Sequence, residues 1–182
     1  MTPILGIMAS AISGNLWAPG KDYDSIATVT VGTAVSSITF SSIPQTYRHL
    51  QIRLFCNAGS NDILYQFNGD TAANYTRHFL YGTGAAAAAG ATLSATSGSI
   101  GYTAPTANTN IFGGAIFDVL DYANTSKNTT TRSLGGFDAN GSGFSILYSG
   151  LWLNTAAVSS IVLLPLAGNF NQYTQAALYG VK

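Results

Sequence analysis

The sequence predicts an all-β protein, an antiparallel β-sandwich of jelly-roll type preceded by a short apolar arm or helix. Three observations carry this. Thr, Ser, Val, Ile, Tyr and Phe are abundant, Glu is absent and Lys, Arg and Met are scarce, so most strong helix formers are missing. From Tyr23 onward, segment after segment alternates apolar and polar residues with a period of two. Clusters of Gly, Asn, Asp, Ser and Pro interrupt the chain roughly every 8–12 residues, the spacing of a sandwich.

Residues 1–22 read as a separate unit, an attachment arm ahead of a sandwich domain at 23–182. Ile4, Leu5, Met8, Ile12 and Leu16 recur near helical spacing, Ile7 and Trp17 extend the apolar set, and Pro19-Gly20 closes it. Such a segment does not stay exposed to water. It packs on its own domain or docks onto another protein. No Lys or Arg precedes Lys21, so the positive start of a secretory signal is missing, and synthesis without a signal peptide is expected.

In "SIATVTV" Ala27, Val29 and Val31 share one face, and in "SSITF" Ile38 and Phe40 do. "HLQIRLFC" is the clearest strand, with Leu50, Ile52, Leu54 and Cys56 inward, so Cys56 reads as a small buried hydrophobe. "ILYQF" runs into an Asn68-Gly69 turn, and "NYTRHFLY" places Tyr75, Arg77, Phe79 and Tyr81 on one side. Gly82 to Asn110 reads as a long Gly/Ala/Ser/Thr loop, with a small hairpin conceivable near "SIGYT". Its five alanines lie between Gly84 and Gly90, too short a span for a self-supporting helix. Loops of this length are usually functional or disordered. Strands resume in "FGGAIFDVL", "TTRSLGGF", "FSILYSGLWL", "IVLLP" and "QAALYGV".

Composition narrows the function. Charged residues are 8% of the 182, against about 25% in an ordinary domain. Seven acids, all Asp, balance seven bases. No basic patch is available for phosphates, so neither nucleic acid nor an anionic membrane surface is an expected partner. No uncharged run is both long and apolar enough for a spanning helix, since "SSIVLLPLAGNF" is short and holds Pro165 and Gly168, so membrane insertion is not expected. Zero net charge favours self-association, which suits a subunit that hides surface in an assembly.

Candidate chemistry is thin. His49 and His78 lie on strands without partners suggesting a triad or a metal site. No G-x-S-x-G elbow occurs. Asp118 and Asp121, three apart on a strand, point to opposite faces, so a glycosidase pair is not formed. "DANGSG" (Asp138 to Gly143) matches half of a calcium loop but has Ser149 where the bidentate Glu belongs, and its residues suit any tight β connection. No catalytic residue, metal or cofactor is assigned. Trp152 reads as core, and Tyr102 in the long loop as a candidate exposed contact for a sugar ring.

Several segments together, "YDSIATVTVG", "TYRHLQIR", "FNGDTAANYTRHFLYG", "FDVLDYANTSKNTTTRSLGGFD" and the ending "AALYGVK", resemble small virion structural proteins of tailed bacteriophages, especially cyanophages. The resemblance covers Tyr23 to Lys182 and brings no catalytic residues. It implies a viral protein of the virion, on tail or capsid surface, made in the host cytoplasm. The expected function is that of a small tail-fibre or baseplate protein, a homotrimer by analogy. Its arm (Ile4, Leu5, Ile7, Met8, Ile12, Leu16, Trp17) would contact other tail or baseplate proteins. Its long loop (Thr92, Tyr102, Asn108, Asn110) would face host-surface glycan as a receptor-binding element. The alternative is a capsid decoration (cement) protein that stabilises the head lattice. A depolymerase would need paired carboxylates that this chain does not present.

Overall fold

Where alternation is cleanest, burial follows it. Leu50, Ile52, Leu54 and Cys56 are buried along one strand, and Ala115, Phe117 and Val119 along another. The structure, a computed structural model, describes residues 22–182. The arm residues Ile4, Leu5, Ile7, Met8, Ile12, Leu16 and Trp17 lie outside the described residues. Within them there is no helix.

The strands are β1 (Tyr23–Thr30), β2 (Ile38–Phe40), β3 (His49–Ala58), β4 (Asp62–Phe67), β5 (Tyr75–Gly82), β6 (Ala87–Ala95) and β7 (Gly98–Tyr102). They continue with β8 (Ala104–Pro105), β9 (Gly113–Leu120), β10 (Thr129–Asp138), β11 (Gly143–Trp152), β12 (Ile161–Pro165) and β13 (Gln175–Val181). The larger sheet runs β1-β13-β3-β9-β10-β11-β5-β6, and the smaller runs β2-β12-β4-β7. All pairings are antiparallel except the two-residue contact of β8 with β3. The chain passes repeatedly between the sheets, as a jelly-roll-like sandwich requires.

The core between the sheets is aromatic. Tyr65, Phe67, Tyr75, Phe117 and Trp152 are all essentially buried, with ring centroids between 4.6 Å (Tyr65 to Phe117) and 6.5 Å (Tyr75 to Trp152). Trp152 is core, as its sequence context indicates. The sheets approach closely where β7 crosses β10 and β11. A Cβ on Gly101 would meet Gly135 Cα at 3.6 Å and Ile146 Cγ2 at 3.5 Å.

The segment from Gly82 to Asn110 is not the long loop expected. It holds β6, which extends the larger sheet, then β7 in the smaller sheet and the short β8. Gly and Ala are poor strand formers, so β6 takes its conformation from β5. Gly90 lies opposite Phe79, whose ring sits over the missing side chain, with Phe79 Cζ 2.6 Å from an ideal Cβ. Of the residues nominated for a host-facing loop, Thr92 is in β6 opposite Arg77, and Tyr102 is in β7 opposite Asp62. Tyr102 packs edge-on to Phe144 at 4.9 Å and is half-buried rather than presented to solvent. Only Asn108 and Asn110 lie in a turn. Asn110 is exposed with φ of 63°, while the carbonyl of Asn108 accepts from Asn57 Nδ2. Buried Asn57 also donates to the carbonyls of Pro105 and Ile111, so it fixes this connection to β3.

Candidate functional site

Antiparallel register places directly paired residues on one face, so side-chain rows across the larger sheet follow from its ladders. On the outer face one row reads Arg53, Ile116, Leu134, Leu147, Leu80, Ala89 across β3, β9, β10, β11, β5 and β6. Its four large members are 46%, 59%, 45% and 55% exposed, an aliphatic band standing in water. Scattered apolar side chains on a surface are ordinary, whereas a contiguous band marks a contact site.

The rows on either side differ. Toward one end of the strands lies Phe55, Gly114, Gly136, Ser145, Gly82, Ala87. With glycines at three of its four middle positions and only the small Ser145 between them, this row is a trough. With the β5–β6 turn (Thr83 to Ala85) and the β10–β11 hairpin (Asp138 to Gly143) it bounds a groove of about 1150 Å³. At the groove's β3 end, Phe55 stacks on Phe112 at 4.7 Å. Toward the other end lies the polar row Gln51, Asp118, Arg132, Ser149, His78, Ala91. Asp118 accepts from Gln51 Nε2 at 2.9 Å and from Arg132 Nη2 at 3.1 Å. Arg53 donates through Nε to Gln51 Oε1 at 3.1 Å and lies over the rings of Tyr23 and Tyr179 at 5.6 and 5.1 Å. The face is thus a polar belt, an aliphatic band and a glycine trough, side by side.

Groups with catalytic potential are dispersed or committed elsewhere. His49 Nδ1 accepts the backbone N–H of Asp121 at 2.9 Å. Asp121 lies beyond the end of β9 and pairs with Lys127, so it is not coupled to Asp118. In the Asp138 to Gly143 hairpin, Asp138 Oδ1 accepts from the N–H of Asn140 at 2.7 Å, and Asn140 and Gly141 take positive φ. These are turn geometries, and among the described residues no group of three His, Cys, Asp or Glu side chains converges as a metal site would require. Cys56 is buried beside Thr103, and burial pushes its thiol up to about 12.

One polar cluster lies inside the sandwich. Asp62 is buried, accepts from Ser99 Oγ, and has Arg77 Nη2 4.0 Å away. Burial raises its carboxyl above the ordinary value, with Ser99 and Arg77 opposing. Tyr148 beside it is also raised, by burial first and then by the Asp62 charge. Arg77 lies over the Tyr148 ring at 5.9 Å, and its Nε has no hydrogen-bond partner among the described residues. The cluster joins β4 and β7 to β5 and β11, and Tyr102, Phe144 and Tyr81 pack on one another beside it.

The outer face was not nominated from the sequence. Each of Ile116, Leu134, Leu147 and Leu80 sits at the polar phase of an alternating strand, the one available sign of an apolar outward residue. Their adjacency depends on strand order, which alternation does not encode. Comparison of the chain with protein-family models, with curated proteins and with solved structures returns no match. No helix among the described residues is long and apolar enough to cross a membrane.

Proposed function

We propose that this chain is a non-enzymatic structural protein of a bacteriophage virion, a small tail-fibre or baseplate component. Residues 1–22 attach it to the tail, and the sandwich assembles with copies of itself and contacts the host surface. The observation that carries this reading is the aliphatic band of Ile116, Leu134, Leu147 and Leu80 on an otherwise regular sheet face. A chain with 8% charged residues and such a band is built for permanent contact rather than for turnover of a substrate. The phage assignment rests on the sequence resemblance over Tyr23 to Lys182.

Capsid decoration is the second reading, and one observation favours it. A host-facing loop over Gly82 to Asn110 is what the fibre reading calls for and a cement protein does not need. The strands β6 and β7 now occupy most of that segment. Antibody labelling of virions by electron microscopy separates the two: label at the tail supports the first, label over the head lattice supports the second, and unlabelled virions sink both. Light scattering on the purified protein, beside Leu134→Asp/Leu147→Asp, tests the contact surface. Wild type is expected as a multimer and the variant as a folded species of lower mass.

A further inference from the structure

Every open sheet has edges, and a soluble protein guards them with charge, proline, bulges or shortness. Among the described residues the two sheets have four edges, and three of them are guarded. β1 carries Asp24, paired to Lys182 at 2.6 Å, and a register shift between Ser25 and Ala27. β2 is three residues long, and β7 is five residues long beside a register shift in β4. β6 has none of these along Ala87–Thr92, where its ladder with β5 is uninterrupted. It has no charge and no Pro, and its bulge, with Ser94 at φ of 53°, lies beyond that stretch.

β6 is also too weak a strand to stand alone on one ladder. Ala and Gly fill most of it, and its burial pattern leaves both faces largely open. A partner strand along its free side would supply hydrogen bonds and the cover that its side chains cannot. The partner must be extended, because the free groups are backbone N–H and C=O at strand spacing. It must also be uncharged, because no Asp, Glu, Lys or Arg occurs between His78 and Phe117 to complement a charge.

We infer that β6 is a strand-addition edge whose partner is β6 of a second copy, paired antiparallel about a two-fold axis normal to the sheet. This rests on the reading of the protein as a self-associating subunit, and specifies the contact. β6 meets the requirements placed on its own partner, setting small uncharged residues opposite one another with no like charges facing. The outer-face row also ends on this edge, since Leu80 lies opposite Ala89. The two-fold keeps outer faces on one side, so the aliphatic bands of both copies join into one. The contact is isologous and gives a dimer as the basic unit, in place of the trimer that the resemblance implies.

Paired side chains share a face, so a symmetric antiparallel pairing must set one residue opposite its own copy. Cα atoms so paired are about 4.5–5.5 Å apart, within disulfide range. Single cysteines are placed at each position from Ala87 to Thr92 in the full-length chain, where Cys56 is buried and unreactive. The expected result after mild oxidation is a disulfide-linked dimer with one maximum along the scan, several-fold above its neighbours. A scan no higher than wild type at every position overturns the inference. If light scattering then still shows a multimer, self-association stands and uses another surface. If it shows a monomer, both readings fall.

Discussion

Asp70 shows how much a single side chain holds here. It sits just after the Asn68-Gly69 turn, its Oδ1 accepting from Ala72 N–H at 2.9 Å. Its Oδ2 accepts from Asn74 Nδ2 at 2.9 Å and from buried Trp152 Nε1 at 2.7 Å. Its carbonyl accepts from the Tyr75 hydroxyl, which in turn accepts from Phe67 N–H at 2.9 Å. Asp70→Ala strands the indole N–H, and a loss of about 2–4 kcal/mol is expected in urea unfolding, since hydrogen bonds to charged groups contribute roughly 1.5–3 kcal/mol each. Tyr75→Phe leaves the Phe67 N–H unpaired and should cost about 1–3 kcal/mol in the same measurement. The two carboxylates, half-buried Asp70 and buried Asp62, have opposite pH signatures. The bond from Asn74 comes first among those that lower Asp70, so its contribution is present above the ordinary 3.8 and is lost as pH falls through its folded value. Asp62 is raised by burial, so the native state holds its proton more tightly than the unfolded chain does. Its contribution is therefore full at low pH and fades as pH rises from 3.8 through the folded value. Asp62→Asn is uncharged throughout, so it should be at least as stable as wild type at pH 7, with a flatter stability profile above pH 4. A clear loss at pH 7 would mean that the charge of Asp62 is needed by Arg77.

At the scale of elements, the ten alternating segments picked out in the sequence are all strands; β6 and β8 were not picked out, and β7 falls at "SIGYT", where the sequence suggests a small hairpin. The difference is physical. β3 carries its own reason for being a strand in Leu50, Ile52, Leu54 and Cys56, whereas the reason for β6 lies in another strand's Phe79. Tyr102 was misplaced for the same cause: its neighbours in sequence are Gly and Thr, but its neighbours in space are Phe144 and Tyr81. The candidate surface was legible only as isolated outward Leu and Ile residues, because register and strand order are needed to make them a row. If Phe79 holds β6 in place, Phe79→Ala uncovers Gly90 and should loosen that strand selectively. Hydrogen exchange is expected to accelerate at Ala87–Thr92 by an order of magnitude or more, with β3, β9 and β10 little changed. Uniform acceleration across the larger sheet would instead make Phe79 part of the global core.

For the whole molecule, the place of the last strand matters most, because it is internal to the larger sheet. β13 lies between β1 and β3 in the larger sheet, with Ala176 and Leu178 fully buried and Gly180 beneath the ring of Tyr47. Its outward Tyr179 is half-covered by Arg53. This placement ties the two ends of the described chain together, because among the described strands β1 pairs with β13 alone. Nothing at the N-terminal edge can be completed until the last residues have joined, so folding depends on long-range closure and is expected to be slow for the chain's size. Removal of Gln175–Lys182 should then act on the whole sandwich rather than fray one end. β1 would lose its ladder with β13, and Leu50, Ile52 and Leu54 on β3 would lose the side-chain neighbours Ala176 and Leu178. The expected outcome is a truncated chain with no cooperative thermal transition by circular dichroism and with loss of its near-ultraviolet aromatic signal. A truncated chain that still melts in one sharp step would show that β3 can serve as a sheet edge, and that the interior place of β13 is not what holds the sandwich closed.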